Sequence, residues 1–182
     1  MDLRDATHSN TALVVVTVIA VLLHVGIGPQ ISIFGGRINF MLVLAIVYAF
    51  SGNTRSAVIA GFACGLFYDL TASVPVGLMS LLLTIGGFVL SNTPSARVGS
   101  SLADASRLSF VYAFVICIVY SLLLLIMGVR SDVMATVFGH GLTSAIITGL
   151  VTIPALMFSG VLDGQHHSFS SRGKGSRFKG IK

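Results

Sequence analysis

The chain alternates between long apolar runs and short polar breaks. Six runs stand out, covering about 12–33, 38–54, 56–73, 76–93, 107–129 and 133–159. An α-helix needs about 20 predominantly apolar residues to cross the hydrocarbon core of a bilayer. The breaks carry the glycine, proline and small polar residues that are typical of turns. The pattern therefore predicts an all-α integral membrane protein, folded as a compact bundle of six transmembrane helices.

Composition agrees with a membrane protein. Hydrophobic residues make up 54% of the 182 residues and charged residues only 9%, whereas soluble domains average about 25% charged. The length predicts one domain. We place a cytoplasmic N-terminal tail at 1–11, the six-helix membrane domain at 12–160, and a basic, disordered cytoplasmic tail at 161–182.

The distribution of lysine and arginine predicts the orientation. With six spans, nine of these residues fall on one side of the membrane and two, Arg37 and Arg130, on the other. Cytoplasmic segments carry the excess of positive charge, so both termini are expected inside, in a multi-pass protein of the inner (cytoplasmic) membrane. Five of the eleven basic residues lie in the last eleven positions. They indicate a topology anchor or a docking site for an acidic cytoplasmic partner, and not a nucleic-acid surface.

Asp69 is the one acidic residue of the third apolar run. A carboxylate at the centre of a bilayer costs about 2.5–3.5 kcal/mol, so we expect Asp69 to have a partner or a task. Ala57, Gly61 and Gly65 precede it at four-residue intervals, so the four residues share one stripe of a helix. Small residues at this spacing let a second helix approach closely. The stripe, together with Gly77 at the start of the next run, is predicted to be a helix-packing or partner-contact surface.

A polar network is predicted around Asp69. About 13 residues at 1.5 Å each place it roughly 20 Å along the third span, near the outer face. Arg37 begins the second span on the same side, so a contact between Arg37 and Asp69 is geometrically possible, and Asn39 is close enough to join it. The alternative is that each charged side chain reaches water separately.

Motifs for catalysis or cofactor binding do not occur. The chain has no Gly-x-Ser-x-Gly, no His-Glu-x-x-His, no phosphate-binding loop and no glutamate. Its two cysteines, Cys64 and Cys117, both lie in apolar runs, as expected for packing residues. We therefore predict no catalytic residue, no metal site, no cofactor and no enzymatic activity.

An ordered set of these residues resembles a known family. Arg37-Ile-Asn39 opens the second span and a short polar turn follows. Next come Gly61-Phe-x-x-Gly65-x-x-x-Asp69-Leu70 and, eight residues after the acid, Gly77-Leu78. This stretch of about 55 residues resembles the rod shape-determining protein MreD family, which shares the size of this chain and its set of apolar spans.

The resemblance implies a non-enzymatic subunit of the bacterial cell-elongation complex. Its implied partners are MreC, the actin-like MreB, and a RodA-type glycosyltransferase with its transpeptidase, besides the lipid bilayer. The implied task is to couple MreB and MreC to lateral peptidoglycan synthesis and so to cell shape. An alternative is the substrate-binding S-component of an energy-coupling-factor vitamin transporter, which is also a small six-span protein. Such a component needs a polar pocket, and this chain has few polar residues with which to form one.

Overall fold

A computed structural model describes residues 3–26, 32–33, 36–51, 53–72, 74–97, 101–129, 132 and 141–159. Within those ranges the regular secondary structure is helical apart from two strands of two residues each, so the predicted all-α class is confirmed. In chain order the elements are α1 (Leu3–Gly26), β1 (Ser32–Ile33), β2 (Gly36–Arg37), α2 (Phe40–Ala49), α3 (Thr54–Thr71), α4 (Leu78–Asn92), α5 (Pro94–Arg97), α6 (Leu102–Ile126) and α7 (Thr143–Phe158). The strands pair antiparallel.

Helix α2 lies at the centre of the fold. All of its residues except Tyr48 are buried, and it packs against α1, α3, α4 and α7. With ten residues it is only about 15 Å long. Its first turn is fixed by Asn39, whose side-chain oxygen accepts a hydrogen bond from the backbone N–H of Leu42 at 3.0 Å, as expected of a residue at the N-cap of a helix.

The other helices follow the predicted runs in order but differ at their ends. Helix α1 begins at Leu3, inside the segment predicted as a tail, and ends at Gly26, before the strand pair. Helix α6 begins at Leu102, before the expected 107, because Ser101 caps it. The Ser101 hydroxyl accepts from the backbone N–H of Asp104 and donates to the Asp104 carboxylate. Of the last run, α7 covers the part from Thr143 onward. Residues 133–140 and the predicted tail 161–182 lie outside the described part of the chain.

Among the described helices, α6 is the one that is both long enough and apolar enough to cross a membrane. Its 25 residues extend about 37 Å, against a hydrocarbon core of about 30 Å. Shorter apolar helices of 10–17 residues cover Leu13–Gly26, Phe40–Ala49, Leu78–Asn92 and Thr143–Phe158.

Candidate functional site

The stripe on α3 lies against α4 of the same chain. Ala57, Gly61, Gly65 and Asp69 are all buried. On the opposite face of α3, Ile59 and Phe62 are more than half exposed. Helices α3 and α4 share the largest contact between any two elements of the described fold. The stripe is therefore occupied by an internal partner, and its small residues belong to the packing of one helix hairpin.

Backbone-to-backbone contact explains why the stripe is made of glycine and alanine. A Cβ atom on Gly65 would come within 2.5 Å of the backbone nitrogen of Ser80, and one on Gly61 would strike the carbonyl of Leu83. The approach is reciprocal, because a Cβ on Gly87 of α4 would lie 2.9 Å from the carbonyl oxygen of Ala57. The contacts run in opposite directions along the two helices, which fixes an antiparallel register.

Asp69 closes the hairpin at the end where α3 leads into α4. Its carboxylate accepts three backbone hydrogen bonds, from the N–H groups of Gly77 at 2.9 Å, Met79 at 3.2 Å and Ser80 at 3.1 Å. The side chain is 1% exposed. The first N–H groups of a helix lack partners within the helix, and the positive end of the helix dipole favours a negative charge there. Asp69 thus caps α4 from the preceding helix.

Gly77 makes this cap possible through its backbone conformation. It is the N-cap residue of α4 and has φ +107°, a value that side-chain-bearing residues rarely adopt. A Cβ atom at Gly77 would meet no other atom within 4 Å, so the requirement for glycine is conformational and not one of space. The turn so formed directs the N–H of Gly77 and those of the first turn of α4 towards Asp69.

Asp69 and Asn39, two residues of the predicted polar network, make separate hydrogen bonds. The carboxylate of Asp69 binds the start of α4. Asn39 caps α2, and its backbone N–H donates to the hydroxyl of Thr148 on α7 at 3.2 Å. The backbone of Arg37 ends strand β2, but its side chain lies outside the described residues. A contact between Arg37 and Asp69 therefore stays a prediction.

The partners of several buried polar side chains were not predicted from the sequence. His24 lies in the last turn of α1 and is 6% exposed. Its Nε2 lies 3.1 Å from the hydroxyl of Thr71 on α3. The Thr71 hydroxyl also lies 3.0 and 2.9 Å from the carbonyl oxygens of Phe67 and Tyr68, which can accept its single proton. Thr17 of α1 and Tyr48 of α2 join their hydroxyls at 3.0 Å. The only signal for these residues was that they were polar within apolar runs.

The residues of this site have a structural role. In the described residues no three His, Cys, Asp or Glu side chains lie close enough together to hold a metal ion. Both oxygens of Asp69 accept hydrogen bonds from backbone N–H groups, so the carboxylate holds α3 and α4 together.

The chain matches no protein-family model, no curated protein and no solved structure.

Proposed function

We propose that this chain is a multi-pass inner-membrane subunit of the bacterial cell-elongation complex, with an MreD-like, non-enzymatic role. The observation that carries the proposal is the ordered set Gly61, Gly65, Asp69 and Gly77, on which the family resemblance rests. Gly61 and Gly65 are the points of backbone contact, Asp69 is the cap, and Gly77 forms the turn. All four residues therefore form the same helix hairpin. Such a set is a more specific family signal than glycine spacing alone, which many membrane helices share.

Membrane placement with six spans is part of the proposal. In the described part of the chain, six helices of eight residues or more follow the order of the six apolar runs, namely α1 to α4, α6 and α7. Large apolar side chains lie on the outer faces of the helices around α2, among them Leu22 on α1, Ile85 on α4 and Val111 on α6, each more than half exposed. Apolar surface this extensive is rare on soluble monomers. Burial in lipid accounts for it.

In this role the protein binds MreC and MreB and contacts the RodA-type glycosyltransferase and its transpeptidase, so that filament position and lateral wall synthesis stay coupled. Because the stripe of α3 is filled by α4, the partners bind other surfaces. The hairpin then acts as a rigid support for those surfaces and is not itself the docking groove.

Depletion of the protein in its native host, followed by microscopy, tests the proposal. Rod-shaped cells are expected to become round and swollen, and expression of the wild-type chain is expected to restore them. A matched strain expresses Gly65→Leu, which should fail to restore the rods. Unchanged cell shape after full depletion contradicts the proposal, and vitamin auxotrophy without a change of shape supports the S-component of a vitamin transporter instead.

A further inference from the structure

The turn between α3 and α4 exposes two large apolar side chains, and the exposed Thr71 beside them bonds its hydroxyl back to the carbonyl groups of Phe67 and Tyr68. Leu70 and Val76 are 67% and 62% exposed. Between them the described residues are Thr71, Ala72, Val74 and Pro75. Turns that face water usually carry charged or polar residues, whereas this one presents two large aliphatic side chains and no charged residue between 70 and 77.

Several backbone N–H groups of the same turn find their acceptors within the protein. Asp69 accepts from Gly77, Met79 and Ser80. On the α3 side, the N–H of Ala72 donates to the carbonyl of Tyr68, and the N–H of Val74 donates to the carbonyl of Ala72. Pro75 has no N–H to satisfy. Internal satisfaction of backbone groups is what a segment needs where water cannot reach it.

The turn at the other end of α3 has the opposite character. Asn53 and Arg55 there are both exposed, and the Asn53 side chain caps the N–H of Arg55 at the surface. One end of the helix therefore carries charge and an exposed cap, and the other end carries aliphatic side chains and a buried cap. The contrast indicates different surroundings for the two ends.

We propose that the α3–α4 turn is a lipid-embedded tip, held within the acyl-chain region of the outer leaflet, and that Asp69 seals its backbone against that apolar environment. The tip continues the apolar outer faces of the hairpin. On α3 the exposed residues Ile59 and Phe62 precede Leu70. After Val76, the exposed residues Leu81 and Ile85 lie on α4. Charged groups are absent from the exposed tip, so a lipid surface fits it better than an acidic or basic partner. The inference rests on the membrane placement in the proposed function.

Depth-dependent fluorescence quenching tests the tip. The full chain is reconstituted in vesicles of phosphatidylethanolamine and phosphatidylglycerol, with an environment-sensitive dye on Val76→Cys. The matched positions are Arg55→Cys at the polar end and Val115→Cys on α6. Wild-type protein gives the background labelling, since Cys64 and Cys117 are buried. Nitroxides on lipid acyl chains quench from the membrane, and iodide quenches from water.

We expect the dye at position 76 to be quenched by the acyl-chain nitroxides as at position 115, with iodide quenching several-fold below that at position 55. If iodide quenches the dye at position 76 as strongly as the dye at position 55, the turn is in water and the proposal is wrong. Lipid quenching at position 115 would still show that the protein is inserted. Protection from both quenchers at 76 also overturns the proposal, since a protein contact then covers the turn. Failure of lipid quenching at position 115 overturns the membrane placement itself, and with it the proposed function.

Discussion

At the scale of single residues, Asp69 carries the sharpest prediction. Its carboxylate is the acceptor for three N–H groups, two of them in the buried first turn of α4. Replacement by alanine leaves these donors without an acceptor, and an unsatisfied buried group costs about 1–3 kcal/mol. We expect Asp69→Ala to lower the free energy of unfolding in detergent micelles by at least about 3 kcal/mol.

Two variants separate the cap from a general loss of packing. Asp69→Asn keeps one acceptor oxygen and should fall between wild type and Asp69→Ala. Leu70→Ala alters the exposed neighbour and should change the stability little. Equal unfolding free energies for Asp69→Ala and Leu70→Ala would refute the capping role. A double-mutant cycle with Arg37→Ala would show whether the predicted pair with Arg37 adds any coupling.

Gly77 is expected to be required for its backbone conformation. Its φ of +107° places an alanine in a strained conformation, at a cost of roughly 1–2 kcal/mol. Gly77→Ala should therefore lower the thermal midpoint in micelles, although there is open space for the methyl group. Gly26→Ala is the matched control, because that glycine also has open space but no positive φ. If the two variants melt alike, backbone strain is not the reason for glycine at 77.

At the scale of elements, the α3–α4 contact predicts what a larger side chain does to the hairpin. Leucine at Gly65 would have to displace the backbone of Met79 and Ser80, and backbone yields far less readily than a side chain. We expect Gly65→Leu to reduce the folded yield severely, measured by size-exclusion chromatography after membrane extraction. Gly61→Leu, which meets the carbonyl of Leu83, should act in the same way.

Ala63 supplies the control for this element. It lies on the same helix but on the exposed face, so Ala63→Leu adds the same kind of bulk without meeting α4. Ala63→Leu should fold as wild type does. A well-folded Gly65→Leu protein that has lost partner binding alone would mean that the stripe serves an external helix, and the internal contact with α4 would then be wrong.

Part of the α3–α4 hairpin could be predicted from the sequence. Spacing predicted that Ala57, Gly61 and Gly65 lie on one close-packing face, because four-residue spacing on a helix requires it. It did not identify α4 as the neighbour. The complementary signal was available in Gly87, which lies against Ala57, and in the short connection from Asp69 to Gly77. A cap supplied by a different helix has no local spacing rule, so only the fold reveals it.

At the scale of the whole molecule, apolar runs predicted the order of the main helices but not their depth. A run reports how apolar a segment is, and both lipid-facing and protein-buried helices satisfy that condition. Helix α2 is short and enclosed by its neighbours, and its sequence does not distinguish it from a lipid-facing helix. The strand pair before it was likewise hidden, because Ser32–Ile33 extends the first apolar run.

Reporter fusions test the orientation of the whole molecule in the membrane. Nine basic residues on one side and two on the other predict that both termini are cytoplasmic. A reporter fused after Lys182 should therefore signal a cytoplasmic location, and one inserted between Gly35 and Gly36 a periplasmic location. Removing the five basic residues of the tail tests the cause. Because Arg4, Arg55, Arg97 and Arg107 still outnumber Arg37 and Arg130, the truncated protein should keep its orientation. A periplasmic signal from the full-length C-terminus would require an odd number of spans and would refute the six-span arrangement.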